Sequence, residues 1–403
     1  MRNMPEFSAT ASALGYYYQI RYALFALLTG ELNGGISLET MDDITSERDG
    51  SPVELIQTKH HVNQTASLAD ASPDLWKTLR NWSCKILNNE VDPNTVQLLL
   101  VSTDNITDNS VVSMLGYTPA QRYVKKALDQ LQKVAEESYN KTNAKAYQDF
   151  MALTKEQRYL LLESIKVIAA SPNIIDIVPK IQRQLALSTR DEFIEPVYQR
   201  LEGWWFDRAI KSMKGAESKV IFFSEVRAMI NDISEQFYAD NLPIDFLSCV
   251  VPEEETLADS QKVFIKQLQL VVVGQPRIRN AINDYYKAYQ QRSKWVREDL
   301  VNINELENYE NRLINEWQRR FLIMQENLAE GSIEHEMKLA GRNLYNEIDE
   351  NINICIRPKC NEPYVMRGSY HMLANDLRIG WHAKFIERLQ YLLQNAGAMQ
   401  YEP

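Results

Sequence analysis

The sequence predicts an α+β fold over its first half and a mainly α-helical C-terminal domain after it, from three patterns in its 403 residues. Ile36 to Ile44 and Val53 to Lys59 alternate in polarity on either side of Asp49-Gly50, the period of strands whose side chains point to opposite faces. Val96 to Thr103 is a nearly continuous apolar run, as expected of a central strand covered on both faces. From about Asn109 the apolar spacing moves to near 3.6, the period of helices.

Taken in order, Ala11 to Leu28 predicts a helix in which Gly15 permits close packing. Ile36 to Ile44 then reads as one strand, with Ile36, Leu38, Thr40 and Ile44 on one face and Glu39, Met41 and Asp43 on the other. The connection SERDGSP supplies Asp49-Gly50 for positive φ and Pro52 for fixed φ, the needs of a hairpin loop. On the returning arm Val53, Leu55, Gln57 and Lys59 share a face. Adjacent His60 and His61 would point opposite ways, which argues against a shared metal ion.

A helix opens at Asp74, where Lys77 and Arg80 stand three apart on one face. Ala120 to Tyr139, Thr142 to Leu153, Lys155 to Ala170 and Asn173 to Leu185 read as helices, broken at Ser171-Pro172. Asp191 to Ile210 is another, with Trp204, Trp205 and Phe206 read as core packing in preference to nucleotide stacking. Helices follow at Phe222 to Phe237 and Leu257 to Val273, with a turn at Pro252 to Glu255. Arg277 to Leu328 is one long helix or a pair, carrying Leu306, Leu313 and Trp317 at seam-like steps. These boundaries divide the chain into residues 1–215, with a helical insertion at about 109–190, and residues 216–403.

The chemistry concentrates at the strand pair. Asp43 and the Gln57 carbonyl oxygen are hard oxygen donors of the kind Mg2+ (or Mn2+) takes in small number. Lys59, on the face of Gln57, would orient an attacking water and offset charge developing on a phosphate. The same residues also suit a half-buried hairpin whose charges are solvated.

Together with the Gly15 to Gln19 stretch, the Glu39-x-x-x-Asp43 spacing and the run Glu54-x-x-Gln57-x-Lys59-His60, this arrangement resembles the PD-(D/E)xK nuclease superfamily, with Gln57-x-Lys59 as a variant of its last element. The first half of the chain resembles the endonuclease domain of bacterial antiphage effectors, namely CBASS-associated double-stranded DNA nucleases and the effector of Lamassu systems. That resemblance implies a restriction-endonuclease-like core and a metal site of Glu39, Asp43 and Gln57, with Asp43, Gln57 and Lys59 catalytic. It also implies support from Gln19, which as a helix residue equally suits a bond to backbone. Lys77, Arg80 and His60 are the candidate DNA contacts.

Gly368 to Ala374 and Ile379 to His382, followed by an amphipathic stretch from Ala383 to Asn395, resemble the C-terminal domain of three-component ABC-ATPase systems, with Ala383 where the family pattern favours proline. This implies docking on an SMC-like ATPase and a small third subunit, with Trp381, His371 and His382 as the expected contacts. Release followed by homo-oligomerisation would then let paired sites meet both strands of DNA.

Composition bounds these expectations. The length suits two or three domains, and with 45% hydrophobic and 24% charged residues the chain reads as a soluble globular protein. A net charge of −10 argues against a generally nucleic-acid-binding surface while leaving room for a local cleft. Neither a membrane-length apolar run nor a signal-like N-terminus is visible, so a cytoplasmic protein without membrane contact is expected. Cys84, Cys249, Cys355 and Cys360 form no C-x-x-C pair and read as reduced thiols. No Gly-rich phosphate loop exists, which excludes the ATPase role itself. A silent scaffold on a nuclease fold and a nucleotide-binding sensor stand as alternatives. The first is distinguished by whether Asp43, Gln57 and Lys59 converge, the second by a basic pocket away from the hairpin.

Overall fold

The computed structural model describes residues 9–60, 68–249 and 262–390, which fall into two compact units, Met1–Ser234 and Glu235–Pro403. The first is α+β. Its helices are α1 (Ala9–Thr29), α2 (Pro73–Leu87), α3 (Val124–Glu137), α4 (Ala144–Ala152), α5 (Lys155–Ser164), α6 (Val178–Leu185), α7 (Ile194–Lys214) and α8 (Phe223–Glu235). They surround a mixed sheet of order β5-β4-β3-β2-β1-β6, with β1 Gly34–Leu38, β2 Ile44–Arg48, β3 Ser51–Lys59, β4 Gln97–Ser102, β5 Ile165–Ile168 and β6 Ile221–Phe222. β1, β2 and β3 form an antiparallel meander, whereas β3, β4 and β5 run parallel.

The expected strand from Ile36 to Ile44 is two strands. Glu39 takes φ of 51° and its N–H donates to the Asp43 carbonyl at 3.1 Å, so 39–43 is a loop joining β1 to β2. Glu39 and Asp43 therefore meet across a turn, not along one strand face. Asp49 and Gly50, both at positive φ, make the tight turn expected of them. Pro52 lies inside β3 opposite Glu47, beside a register shift at Ser46/Glu47; a residue with no N–H to give the ladder is tolerated at such an irregularity.

The expected helix from Lys155 to Ala170 stops at Ser164, capped at its start by the reciprocal Thr154–Gln157 bonds. Ile165–Ile168 becomes β5, and its β-branched residues pair with Leu98 to Val101 of β4. The 109–190 region thus completes the sheet as well as supplying helices. Leu55, Leu98, Leu100, Ile165 and Val167 bury one sheet face against Trp76, Leu79 and Trp82 of α2 and Leu128 and Phe150 of α3 and α4. Ile56, Leu99 and Val101, also buried, point to the opposite face by alternation. Burying a side chain of this size contributes roughly 1.5–3 kcal/mol, which is why β4 tolerates no polar residue in its centre. Trp205 of α7 is 1% exposed and donates its Nε1–H to the Ile20 carbonyl of α1, in accord with the core reading, whereas Trp204 is half-buried and Phe206 is exposed.

The second unit is helical: α9 (Val263–Leu270), α10 (Gln275–Arg297), α11 (Ile303–Glu326), α12 (Glu334–Asn351) and α13 (Pro363–Asn375), then a helical segment at 385–390. Arg277 to Leu328 is the pair α10 and α11. A Cβ on Gly368 would run into the Asp284 carbonyl, so α13 lies against α10 only because that residue is glycine. The expected turn at Pro252 to Glu255, His61 and the end of the Ala383 to Asn395 helix lie outside the described residues. Among the described residues no helix is long and apolar enough to cross a membrane.

Candidate active site

The site lies at the carboxyl ends of the parallel strands β3 and β4, in a cleft of about 610 Å3. Crevices at such strand ends are the usual ligand sites of open sheets. Pairing of Ile44 with Ile56 brings Asp43, just before β2, beside the end of β3. There Asp43 Oδ2 accepts the Thr58 N–H at 2.8 Å and the Thr58 Oγ1–H at 3.0 Å. This clamp fixes the carboxylate and leaves Oδ1 for a ligand. Gln19 reaches in from α1, its Nε2 donating to Glu39 Oε1 at 2.9 Å and to the Asp43 carbonyl at 2.7 Å. One amide thus bonds backbone, as a helix residue can, and also holds the exposed Glu39.

Gln57 is 9% exposed and lines the cleft, and its side chain makes no hydrogen bond among the described residues. Lys59 lines the same cleft, and burial holds its ammonium pKa below the ordinary lysine value, against the opposing pull of Asp43 and Asp74. Asp43, Gln57 and Lys59 thus converge, with Glu39 beside them. The set contains two carboxylates and one amide; among the described residues no three His, Cys, Asp or Glu side chains form a metal-holding group.

Lys77 of α2 is exposed on the cleft wall, whereas His60 lines it half-buried, its ring 4.9 Å from that of Tyr18. Arg80 departs from expectation. Its Nε pairs with Asp149 Oδ2 of α4 at 2.9 Å, so the guanidinium is drawn to α4 and does not line the cleft. A residue three positions from Lys77 is displaced about 300° around the helix, enough for a neighbouring acid to claim it.

Asp42 was not anticipated. It is 7% exposed and accepts the Trp82 Nε1–H at 2.6 Å, while burial pushes its carboxyl up to about 6. The alternating sequence pattern offered a signal, since it sets Asp42 among Ile36, Leu38 and Ile44, where a carboxylate needs a buried partner. Thr58 was missed because a threonine in a strand is ordinarily just a β-former.

The structure also corrects the docking assignment. Trp381 is 0% exposed, His371 2% and His382 1%. The Trp381 N–H donates to Gln267 Oε1 at 3.2 Å, and its ring lies edge-on to Tyr345 at 5.2 Å. Burial holds His371 down to about 3, leaving it neutral. A Cβ at Gly380 would collide with the Phe385 ring. The Gly-Trp-His segment is thus interior packing, and none of the three side chains is available to a partner. Cys84, Cys249, Cys355 and Cys360 are free thiols.

Fold and site together define an α+β unit with an acid, amide and lysine cleft, joined to a helical unit. Residues 264–389 of the latter match the family model described as CTD7, C-terminal domain 7 of the ABC-three component (ABC-3C) systems. No curated protein matches this sequence. Among solved structures, the Acinetobacter baumannii Cap4 SAVED/CARF-domain containing receptor with the cyclic trinucleotide 2'3'3'-cAAA is 13% identical, with a TM-score of 0.33 over 64% of this chain and 58% of that one. The Moraxella osloensis Cap4 SAVED/CARF-domain containing receptor is 14% identical, with a TM-score of 0.34 over 64% and 58%. This chain therefore spans less than two thirds of the length of either receptor.

Proposed function

We propose that the first unit is a metal-dependent DNA endonuclease with a restriction-endonuclease-like core. In this reading the chain is the effector of an ABC-three component antiphage system of the Lamassu kind. The observation that carries this is the convergence of Asp43, Gln57 and Lys59 at one strand end, the feature that separates an active site from a silent scaffold. The donors fit a hard divalent cation: Asp43 Oδ1 is left open by the Thr58 clamp, the Gln57 side chain lines the cleft without a hydrogen bond among the described residues, and Glu39 is held beside them.

Glu39, Asp43 and Gln57 would hold Mg2+ or Mn2+. When bound, the cation would polarise the scissile phosphate and ease deprotonation of water. Lys59 supplies positive charge from a partly desolvated position, where a charge acts more strongly on a developing oxyanion than it does in water. Lys77 and His60 on the walls would contact the flanking phosphates of duplex DNA.

The CTD7 match supports a role for the second unit in engaging partner subunits, which we propose are an SMC-like ATPase and a small third subunit. Restraint by that complex and self-association on release complete the reading.

Cleavage of plasmid DNA in Mg2+ tests the assignment. Lys59→Ala should abolish it, a loss of at least about 100-fold if the charge acts as an oxyanion-type stabiliser, with the circular dichroism spectrum unchanged. Undiminished cleavage by that variant would sink it.

A further inference from the structure

The second unit carries a cleft of about 580 Å3 between one face of α11 and the segment that follows α12. Arg312, Asn315, Glu316 and Arg319 line it from α11, and Asn353 and Cys355 from the other side. Both arginines are exposed. Glu316 stands four residues after Arg312 and three before Arg319, spacings at which helical charges pair. Its carboxylate is instead held by Arg320, whose Nε also bonds Glu347 Oε1 at 3.0 Å.

Among the described residues, Arg312 and Arg319 are consequently left without a carboxylate partner within 4.0 Å. Several other arginines of this unit, Arg277, Arg292, Arg357, Arg367 and Arg378, each pair with an acid. Arg312 is also fixed in place. Its Nη2 donates to the Ile356 carbonyl at 3.1 Å and its guanidinium lies 5.5 Å from the Tyr309 ring, so part of the ordering cost of binding is already met.

We propose that this cleft binds a small phosphate-bearing ligand of nucleotide size. A guanidinium keeps its charge at any physiological pH and presents a fork that matches the oxygens of phosphate. Two of them two helical turns apart, about 10.5 Å along the axis, span linked phosphates better than a single one. The volume falls within the range of small-ligand sites, and Asn315 and Asn353 supply neutral donors and acceptors for the rest of the molecule. In a chain of net charge −10, two cations with no acid partner in one cleft form a local positive field that favours an anion there. The proposal does not depend on the nuclease reading.

Titration calorimetry of the full chain with ADP and with inorganic pyrophosphate, in low salt without divalent cation, tests it. Saturable binding is expected, weakened at least about 10-fold in R312A/R319A, a difference of about 1.4 kcal/mol. R312K/R319K keeps the charge without the fork and should fall between the two. The pair K59A/K77A, which removes cations from the other cleft, should leave the affinity unchanged. Absence of saturable binding by either probe up to about 5 mM, or equal affinity in folded R312A/R319A, would overturn the proposal. Citrate binding more tightly than both phosphate probes would replace phosphate with carboxylate as the ligand chemistry and overturn it equally.

Discussion

Replacing Gln19 probes how the α1 helix holds the site loop. Gln19→Ala removes two hydrogen bonds from one buried amide, to Glu39 Oε1 and to the Asp43 carbonyl. The carbonyl bond contributes about 1 kcal/mol, and the bond to carboxylate about 1.5–3 kcal/mol in a buried setting. Glu39 is exposed, so water replaces much of the second bond, and roughly 1 kcal/mol remains for it. The sum, about 2 kcal/mol, lowers the melting temperature of a unit of this size by about 4–8 °C.

Gln19→Glu is the sharper variant, because it sets a carboxylate against Glu39 and against a carbonyl that needs a donor. It should be less stable than Gln19→Ala at pH 7 and recover as pH falls through roughly 4 to 5, where a protonated glutamate can donate again. Scanning calorimetry at both pH values, alongside plasmid cleavage, reads the two effects. If Gln19→Glu melts with the wild type at pH 7, the amide does not hold the 39–43 loop.

Further outcomes follow from other positions. Burial raises the Asp42 pKa to about 6, above its unfolded value, so the folded state binds the extra proton and stability falls as pH rises from about 4 to about 6. Asp42→Asn keeps an acceptor for Trp82 and should remove that slope in urea titrations; an equal effect at pH 4 and pH 8 would contradict it. Gln57→Glu adds a negative charge to the proposed cation site and should tighten Mg2+ binding at least about 10-fold by calorimetry, about 1.4 kcal/mol, whereas unchanged affinity would place the cation elsewhere. Trp381→Ala should cost about 3–5 kcal/mol in denaturant unfolding, as for a buried tryptophan, and a loss below about 1 kcal/mol would be inconsistent with its interior position.

Much of the site was legible because it depends on short-range geometry. Period two alone put Gln57 and Lys59 on one face, Asp49-Gly50 alone marked the turn before β3, and the apolar run at Val96 to Thr103 alone marked a covered strand. The elements that escaped depend on contacts distant in sequence. The 39–43 loop breaks an alternating pattern at a non-glycine residue with positive φ, a conformation supported by Gln19 twenty positions away. Ile165–Ile168 continues an apolar helix pattern and becomes a strand because β4 offers unpaired backbone groups beside it.

Arg80 and Trp381 carry the same lesson for side chains. Sequence determined that Arg80 would lie on a helix near the site and that Trp381 was large and apolar. Only the tertiary structure decided that Asp149 would take the guanidinium, that Gln267 would hold the Trp381 backbone and that Tyr345 would pack edge-on to the indole. Whether a charge is paired or an aromatic is covered depends on what packs opposite, and local periodicity carries no information about that.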